Sequence, residues 1–413
     1  MKIRLALIVV PLLTLAVALS GGFTLLWRFF IFLVVVLVLS HLWSRLSIRS
    51  IDGHVEKPSS LCQVGEYFEE GFTVINRSKI LTPLIEAQED TDLPGYQNTV
   101  AISLSSRSSH TWHTKVYCRR RGRYSIGALT VKATDPLGFF PVERNIGKRQ
   151  EIIIYPATLE LPFFQALPQQ EPGVGPRRWL ASEAGPNASH VREYVSGDSL
   201  RHIHWHTTAH TGKLMVREFD PDRSNYATFK EIWIVLDMHR TSQLGEGDET
   251  TEEYGVTIAA SLVKKYLDSG KRVGLITAGD RSYLLSPETG DGYLQYLLRS
   301  LALLKATGEV SIDNLLASRA EHFNAGSTVI IIMPSVNPGI AAPMRQVINR
   351  HVTVTAILLD SFSFGGGISP ANNARGLSSS GFNVYVVRGG MEIALALDSR
   401  LPSSRMQYVG GKV

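Results

Sequence analysis

The sequence predicts an α+β multidomain protein. It has an N-terminal transmembrane helical hairpin, a small antiparallel β-sandwich-like domain and a C-terminal doubly wound α/β domain. Three observations predict this. Two apolar runs, residues 5–20 and 23–43, open the chain. Residues 47–161 hold short segments of period-two polarity punctuated by glycine and proline. After Phe219 near-continuous apolar strands alternate with amphipathic helices, the pattern of a parallel sheet covered on both faces.

The hairpin comes first. The second apolar run is long enough to cross a bilayer and is interrupted only by Arg28; the first is slightly shorter. Gly21-Gly22 permits a tight turn between them. Lys2 and Arg4 precede the pair, and Arg45 and Arg49 follow it. Positive charge at both outer ends places both in the cytoplasm. The expected location is therefore the plasma (inner) membrane, multi-pass, with the soluble domains cytoplasmic. A rival reading takes Ala18-Leu19-Ser20 as a signal-peptidase site, which would leave one span and could reverse the orientation. A net charge of +5 fits a face near anionic lipid as well as nucleic acid, but the aromatic-basic repeat of single-strand binders is lacking, and no nucleic-acid partner is expected. Cys62 and Cys118 are too few for a disulfide scaffold and lack zinc-ligand spacing, so they read as small buried hydrophobes, reduced in the cytosol.

The β-rich domain is expected over residues 46–161, after a hairpin at 1–45. Its strands are predicted at residues 67–76, 84–88, 100–104, 111–118, 125–133 and 151–155. Arg119-Arg120-Arg121-Gly122-Arg123 reads as a solvated hairpin edge that blocks edge pairing, or as a lipid head-group contact. Asp135-Pro136-Leu137-Gly138 reads as a turn with Asp at its first position. Residues 162–228 form a connecting and signature segment whose first part is rich in proline and glycine.

The α/β domain is expected over residues 229–400, with a tail at 401–413. Strands are predicted at 231–237, 272–278, 328–333, 352–359 and 382–387, and helices at 252–269, 293–306, 312–323 and 339–351. Ligands of such sheets bind at the carboxyl ends of strands, where Asp237 sits. No phosphate-binding glycine signature is present, which argues against a nucleotide-dependent enzyme. Gly365-Gly366-Gly367 reads as a flexible surface loop with no clear helix after it.

The densest cluster of functional side chains lies at residues 192–219. His202, His204 and His206 alternate, and on a strand would share a face able to bind zinc. Asp198, His204 and Ser199 offer a hydrolase triad, although adjacent Asp and Ser rarely flank one histidine. The favoured reading is a docking surface or joint between domains, with Trp205 and the arginines as anchors.

These residues carry a resemblance. Arg192-Glu193-Tyr194, Gly197-Asp198-Ser199-Leu200-Arg201, Ile203-His204-Trp205, Thr208-Ala209 and Gly212-Lys213-Leu214-Met215-Val216-Arg217-Glu218 are similar to the signature of the bacterial "domain of unknown function 58" family. Arg120-Arg121-Gly122-Arg123-Tyr124 and Asp135-Pro136-Leu137-Gly138 resemble it as well. The resemblance implies a von Willebrand factor A-like C-terminal domain and a MoxR-type AAA+ ATPase as partner. It singles out Arg192, Glu193, Tyr194, Gly197, Asp198, Arg201, His204, Trp205, Lys213 and Arg217 as signature and interaction positions, and it supports His204 but not His206 or His210. Domains of the von Willebrand type often hold a divalent metal on a DxSxS loop. Here Asp237 matches and Thr241 stands in for the last serine, but His239 replaces the middle one. The site reads as degenerate and metal-free, with weak Mg²⁺ binding through Asp237 and Thr241 as the alternative. The expected function is a non-enzymatic, membrane-anchored scaffold or adaptor with no cofactor. The alternatives are a metal-dependent hydrolase built around Asp198 and His204, and a metal-dependent adhesion-type binder acting through Asp237.

Overall fold

A computed structural model describes residues 2–21, 24–56, 62–79, 81–166, 190–195, 203–218, 231–334, 338–367 and 371–401. The chain divides into two compact units, residues 1–157 and 158–413.

The first unit opens with two helices, α1 (Lys2–Gly21) and α2 (Thr24–Arg49). Among the described residues only α2 is long and apolar enough to cross a membrane; the apolar part of α1 is Val9–Leu19. Most outward side chains of α2 are apolar, among them Leu25, Phe32, Leu39 and Leu42, with Arg28, His41, Arg45 and Arg49 also exposed. Near its end the pattern changes. Ser40, Ser44, Ser47 and Ile48 are buried at helical spacing and form one face.

That face meets a β-rich body. Its strands are β1 (Ile51–Glu56), β2 (Cys62–Gln63), β3 (Tyr67–Asn76), β4 (Thr82–Asp90), β5 (Thr99–Leu104), β6 (Ser109–Tyr117), β7 (Gly122–Ile126), β8 (Ala128–Ala133), β9 (Val142–Ile146) and β10 (Gln150–Tyr155). They pair as β1-β3-β6, β5-β4-β8-β9 and β2-β10-β7. Every pairing is antiparallel except the two-residue β2 against β10. The first two sheets face each other across Ile51, Phe72 and Val74 on one side and Ile85, Ala87, Leu129 and Val131 on the other. This is the expected sandwich. A second apolar cluster gathers Cys62, Phe68, Val116, Cys118, Ile126 and Ile154, so both cysteines are buried thiols. The stretch at 125–133, expected as one strand, is two, because Gly127 takes a φ of +89° and breaks the ladder. The basic run is not uniformly solvated: Arg121 is buried where the chain enters β7.

The Asp135 turn is built as expected and does more than turn the chain. Gly138 donates to the Asp135 carbonyl (2.9 Å) and has a φ of +74°. The Asp135 carboxylate accepts from the backbone of Phe140 (2.7 Å) and Leu137 (3.1 Å) and from the Ser40 hydroxyl of α2. The Ser44 hydroxyl donates to the Phe140 carbonyl, and His41 meets the Phe140 ring edge-on at 5.2 Å. Arg144 Nη1 lies 3.2, 2.6 and 3.0 Å from the carbonyl oxygens of Ile48, Arg49 and Ile51, where a helix end leaves acceptors without partners.

In the second unit, β11 (His190–Glu193) and β12 (Met215–Glu218) form a ribbon interrupted by α3 (Trp205–Thr211). The α/β body follows. It comprises β13 (Glu231–Leu236), a short hairpin of β14 (Gly245–Glu246) and β15 (Glu249–Thr250), α4 (Thr251–Asp268), β16 (Arg272–Ala278), β17 (Ser282–Glu288), α5 (Asp291–Leu303), α6 (Ile312–Arg319), β18 (Thr328–Met333), α7 (Ala341–Ile348), β19 (Thr353–Leu359), α8 (Ala371–Ser379), β20 (Asn383–Val387) and α9 (Ile393–Ala396). The sheet order is β17-β16-β13-β18-β19-β20. All pairs are parallel except β16 with β17, a hairpin edge not anticipated because its alternation is weak.

Strand alternation sends Trp233, Val235, Ile331 and Ala356 to one face, packed with Leu316 of α6, Met344 of α7 and Leu377 of α8. On the opposite face Leu236, Ile332 and Leu359 meet α4 at Gly255, where a Cβ would lie 3.2 Å from Leu236. The glycine run at 365–367 is not a free loop. Gly365 ends a 3₁₀ turn (Ser361–Phe364), Gly366 packs against the Ser361 carbonyl, and α8 follows.

The stretch read as the start of a mobile connector is held to this body through Ala166. Lys265 Nζ donates to the carbonyls of Leu161 and Phe164, and burial lowers its pKa. Thr355 donates to Ala166, Tyr385 to Gln165 (2.9 Å) and Ser399 to Phe163 (2.6 Å).

Candidate functional site

The signature segment folds as a ribbon with a helix inserted between its strands. β11 and β12 pair antiparallel in the register His190↔Glu218, Val191↔Arg217, Arg192↔Val216 and Glu193↔Met215. Ile203 bridges Val216 as well, and His204 N donates to the Met215 carbonyl at 2.7 Å. Ile203 and Val216 are the buried apolar pair of this small unit.

His204 is the N-cap of α3. Its Nδ1 accepts from Thr207 N at 3.3 Å and lies 2.7 Å from the Thr207 hydroxyl. This satisfies one of the helix's orphan donors, the work a serine or aspartate does elsewhere. Gly212 closes the helix with a φ of +68°, and its N–H donates to Thr208. Thr208 Oγ1 accepts from Met215 N at 3.0 Å, which ties the helix to the ribbon. Lys213 pairs with Glu193 across the strands at 3.1 Å, an exposed contact that adds little stability.

Trp205 follows the cap and is 67% exposed. His204, by contrast, is half-buried and engaged as the cap. The rings of His204 and His206 are 6.3 Å apart and those of His206 and His210 5.8 Å, all on a helix rather than alternating on a strand. His204 and His206 therefore do not alternate along a strand, and His202, the third of the expected set, lies outside the described residues. Among the described residues no three His, Cys, Asp or Glu side chains converge on a point that could hold a metal. Gly197, Asp198, Ser199, Arg201 and His202 lie outside the described residues, as does the triad built on Asp198. Arg192 and Arg217 are placed by backbone, on adjacent register positions of the ribbon. Tyr194 continues the ribbon, donating its N–H to Leu214 at 2.8 Å.

The second candidate is the carboxyl edge of β13. Asp237 is 3% exposed, and burial pushes its carboxyl up to about 6 despite hydrogen bonds and the nearby His239, with Asp313 adding repulsion. Oδ1 accepts from His239 N at 3.0 Å, while Oδ2 has no hydrogen-bond partner among the described residues. Thr241 does not face Asp237; its hydroxyl is engaged by His239 Nδ1 at 2.9 Å. Gln243 donates to the Asp237 carbonyl and accepts from Thr251, which fixes the loop. Gly308 lies against the same loop, its N–H donating to Met238, and a Cβ there would lie 1.9 Å from the Ala278 carbonyl. A hard cation wants several oxygens. One carboxylate beside an imidazole that engages the Thr241 hydroxyl does not fit it.

A third polar region has no counterpart in the sequence reading. Glu70 of β3 is fully buried between the two apolar clusters of the β-rich body, in phase with Phe68 and Phe72. Neither of its carboxyl oxygens has a hydrogen-bond partner among the described residues. Burial, reinforced by Glu89, pushes its pKa up to about 8. Glu89 is raised in the same direction by burial and lines an 810 Å³ cleft with Asp90, Asp92, Tyr96, Lys132 and Glu143. Most charges in the cleft are neutralised nearby: Asp90 by Arg149 at 2.6 Å, Glu143 by Lys132 at 4.0 Å, and Asp92 through the backbone of Ser125. The strand alternation of β3 and β4 carries the signal for both glutamates, each falling on an inward position.

Comparison with known proteins sets this geometry in context. Residues 190–362 match the family model described as "Protein of unknown function DUF58". The match runs from the ribbon into the 3₁₀ turn after β19. Uncharacterized protein YeaD of Bacillus subtilis is 24% identical over 310 residues, covering 72% of this chain and 74% of its own. An uncharacterized Mycobacterium tuberculosis protein is 29% identical over 217 residues; these span 49% of this chain and 63% of the mycobacterial one. Among solved structures, a CARDB domain from Pyrococcus furiosus aligns with 25% of this chain and 91% of its own at 12% identity, with a TM-score of 0.20. The C-terminal domain of wzt aligns with 25% of this chain and 72% of its own at 11% identity and a TM-score of 0.19.

Proposed function

We propose that this chain is a non-enzymatic adaptor held in the bacterial plasma membrane by α1 and α2, with its soluble units in the cytoplasm, and that it docks a AAA+ ATPase of the MoxR type. The observation that carries the reading is Trp205. A large aromatic at 67% exposure, on a helix capped at both ends and fastened to a ribbon, is an unfavourable thing to show to water. It makes sense as a preorganised anchor, because tryptophans in rigid settings dominate interface energetics. Exposed Leu214 and Val195 extend the apolar area of the segment, and Lys213 and Glu193 supply polar groups.

The α/β body is read as a von Willebrand factor A-like platform. In its favour stand the order β17-β16-β13-β18-β19-β20, a single antiparallel edge strand and helices on both faces. No cofactor enters the reading, since the Asp237 loop directs its donors at one another. The partner class follows the signature resemblance, and the ATPase would supply energy that this chain has no nucleotide loop to capture.

The test is co-purification. Full-length protein extracted from bacterial membranes in mild detergent should retain a MoxR-type ATPase, and Trp205→Ala should reduce recovery at least about tenfold, a typical hot-spot loss. Equal recovery with the alanine variant, or no ATPase with the native chain, would overturn the assignment.

A further inference from the structure

The end of α2 and the Asp135 turn sit at one height, and that height has a meaning if α2 spans the membrane. From Leu25 to Trp43 the helix rises about 28 Å, at about 1.5 Å per residue. A bilayer's hydrocarbon core is about 30 Å thick. Ser40, His41, Ser44 and Trp43 therefore fall where hydrocarbon gives way to head groups. Trp43 is of the residue type that favours this level, and Arg45 and Arg49 follow it.

The β-rich body grips the helix at that height. Ser40 donates to Asp135, Ser44 to the Phe140 carbonyl, and His41 packs on the Phe140 ring. The opposite side of the helix keeps its apolar coat through Leu42 and Leu46, both 49% exposed, so apolar surface continues past the grip. The turn itself projects Leu137 at 54% exposure, with Pro136 and Gly138 also exposed and Phe139 half-buried. The loop is rigid: three donors hold Asp135, and Gly138 closes the turn. An exposed leucine locked outward beside an apolar helix is poorly suited to water.

We propose that the Asp135–Phe140 loop is a lipid-facing lip, with Leu137 inserted into the bilayer interface beside the exit of α2. This rests on the membrane reading of α2. The chemistry fits one partner, the head-group and upper acyl region of a bilayer containing anionic lipid. Leu137 supplies the apolar contact, and Arg45 and Arg49 in the last turns of α2, with Arg144 at its carbonyl end, are exposed cationic side chains of the same unit. Asp135, the one anion in the loop, is satisfied internally by Ser40 and two backbone N–H groups and so does not face the lipid. Hydrogen bonding to these donors keeps its carboxyl below the usual range even though burial acts against them.

The experiment uses the full chain in nanodiscs of phosphatidylethanolamine and phosphatidylglycerol at 3:1. An environment-sensitive fluorophore is placed at Leu137→Cys, and separately at Phe32→Cys in mid-helix. The native Cys62 and Cys118 are buried and do not compete for label. The label at 137 should be blue-shifted and quenched by lipids carrying a nitroxide near the head group more than by lipids carrying it deep in the chain. The label at 32 should show the reverse order. Water-like, unquenched emission at 137 with quenching at 32 would overturn the lip. Absence of quenching at 32 would instead overturn the spanning reading on which it rests. An Asp135→Asn variant carrying the 137 label adds a second readout: loosening the turn should lower the quenching at 137 and leave the label at 32 unchanged, and an unchanged 137 signal would count against a preorganised lip.

Discussion

Glu70 shows how one residue sets a pH dependence. It lies between two apolar clusters with no donor for either oxygen among the described residues, so the folded chain holds it protonated. Its folded pKa of about 8 stands above the ordinary value of 4.5. A group raised on folding contributes its stability below the lower value and loses it as pH climbs to the higher one. The β-rich body should therefore lose stability between about pH 4.5 and pH 8, on the order of 2–4 kcal/mol after allowing for relaxation. Glu70→Gln keeps the shape and removes the ionisation. Its thermal midpoint should match the native chain at pH 4 and exceed it at pH 9. Parallel melting curves across that range would show that Glu70 is not the group responsible. This residue was legible only as an inward position on a period-two strand; the apolar surroundings that leave it without a donor come from elements distant in sequence. The same holds at His204. Its importance was legible in the signature, whereas its work as a helix cap depends on Thr207 and a helix start that a reading of alternating histidines as strand conceals.

At the scale of elements, the join between α2 and the first unit rests on a few side chains. Arg144 brings a guanidinium to the carbonyl end of α2, within reach of three acceptors on Ile48, Arg49 and Ile51. Charge opposite a helix dipole and hydrogen bonds to otherwise orphaned carbonyls together contribute about 1–2 kcal/mol at an exposed site. Arg144→Ala should lower the unfolding midpoint of detergent-solubilised protein by a few degrees. Arg144→Lys, which keeps the charge and donors at the helix end, should recover much of the loss. An alanine variant that melts with the native chain would mean that Ser40 and Ser44 hold the join alone. Most elements were legible because their periodicities are strong: β3, β13, β18 and α4 fall at or within one or two residues of their expected bounds. The misses share a physical origin. β1 follows α2 directly, with only Ser50 between them, β9 is mostly polar, and β17 is an edge strand with an exposed face. Hydrophobic pattern says little about strands that bury little. Likewise, Asp135 was legible as a turn former, but its hold on Ser40, far away in sequence, was not.

At the scale of the whole molecule, the proposed anchoring predicts which side of a membrane the two units occupy, and the prediction is argued from charge. Lys2 and Arg4 precede α1, and Arg45 and Arg49 lie in the last turns of α2. α1 is 20 residues long, about 30 Å, but its apolar part, Val9–Leu19, falls short of a span. If both helices cross, the positive ends coincide on the cytoplasmic side and both soluble units follow. If α1 instead stays on the cytoplasmic side and α2 alone crosses, the units lie outside. Leu395 distinguishes the two, since it is 48% exposed on α9 and far from the signature segment in sequence. In spheroplasts, Leu395→Cys should resist a membrane-impermeant maleimide until the membrane is permeabilised, and then react fully. Cys62 and Cys118 give no background in the folded chain because both are buried. Labelling in intact spheroplasts would place the units outside and remove the cytosolic ATPase from consideration, whatever Trp205 binds. Protection would leave Trp205 facing the compartment where such a partner works, because the only described segment able to cross by length and composition, α2, lies well before the signature.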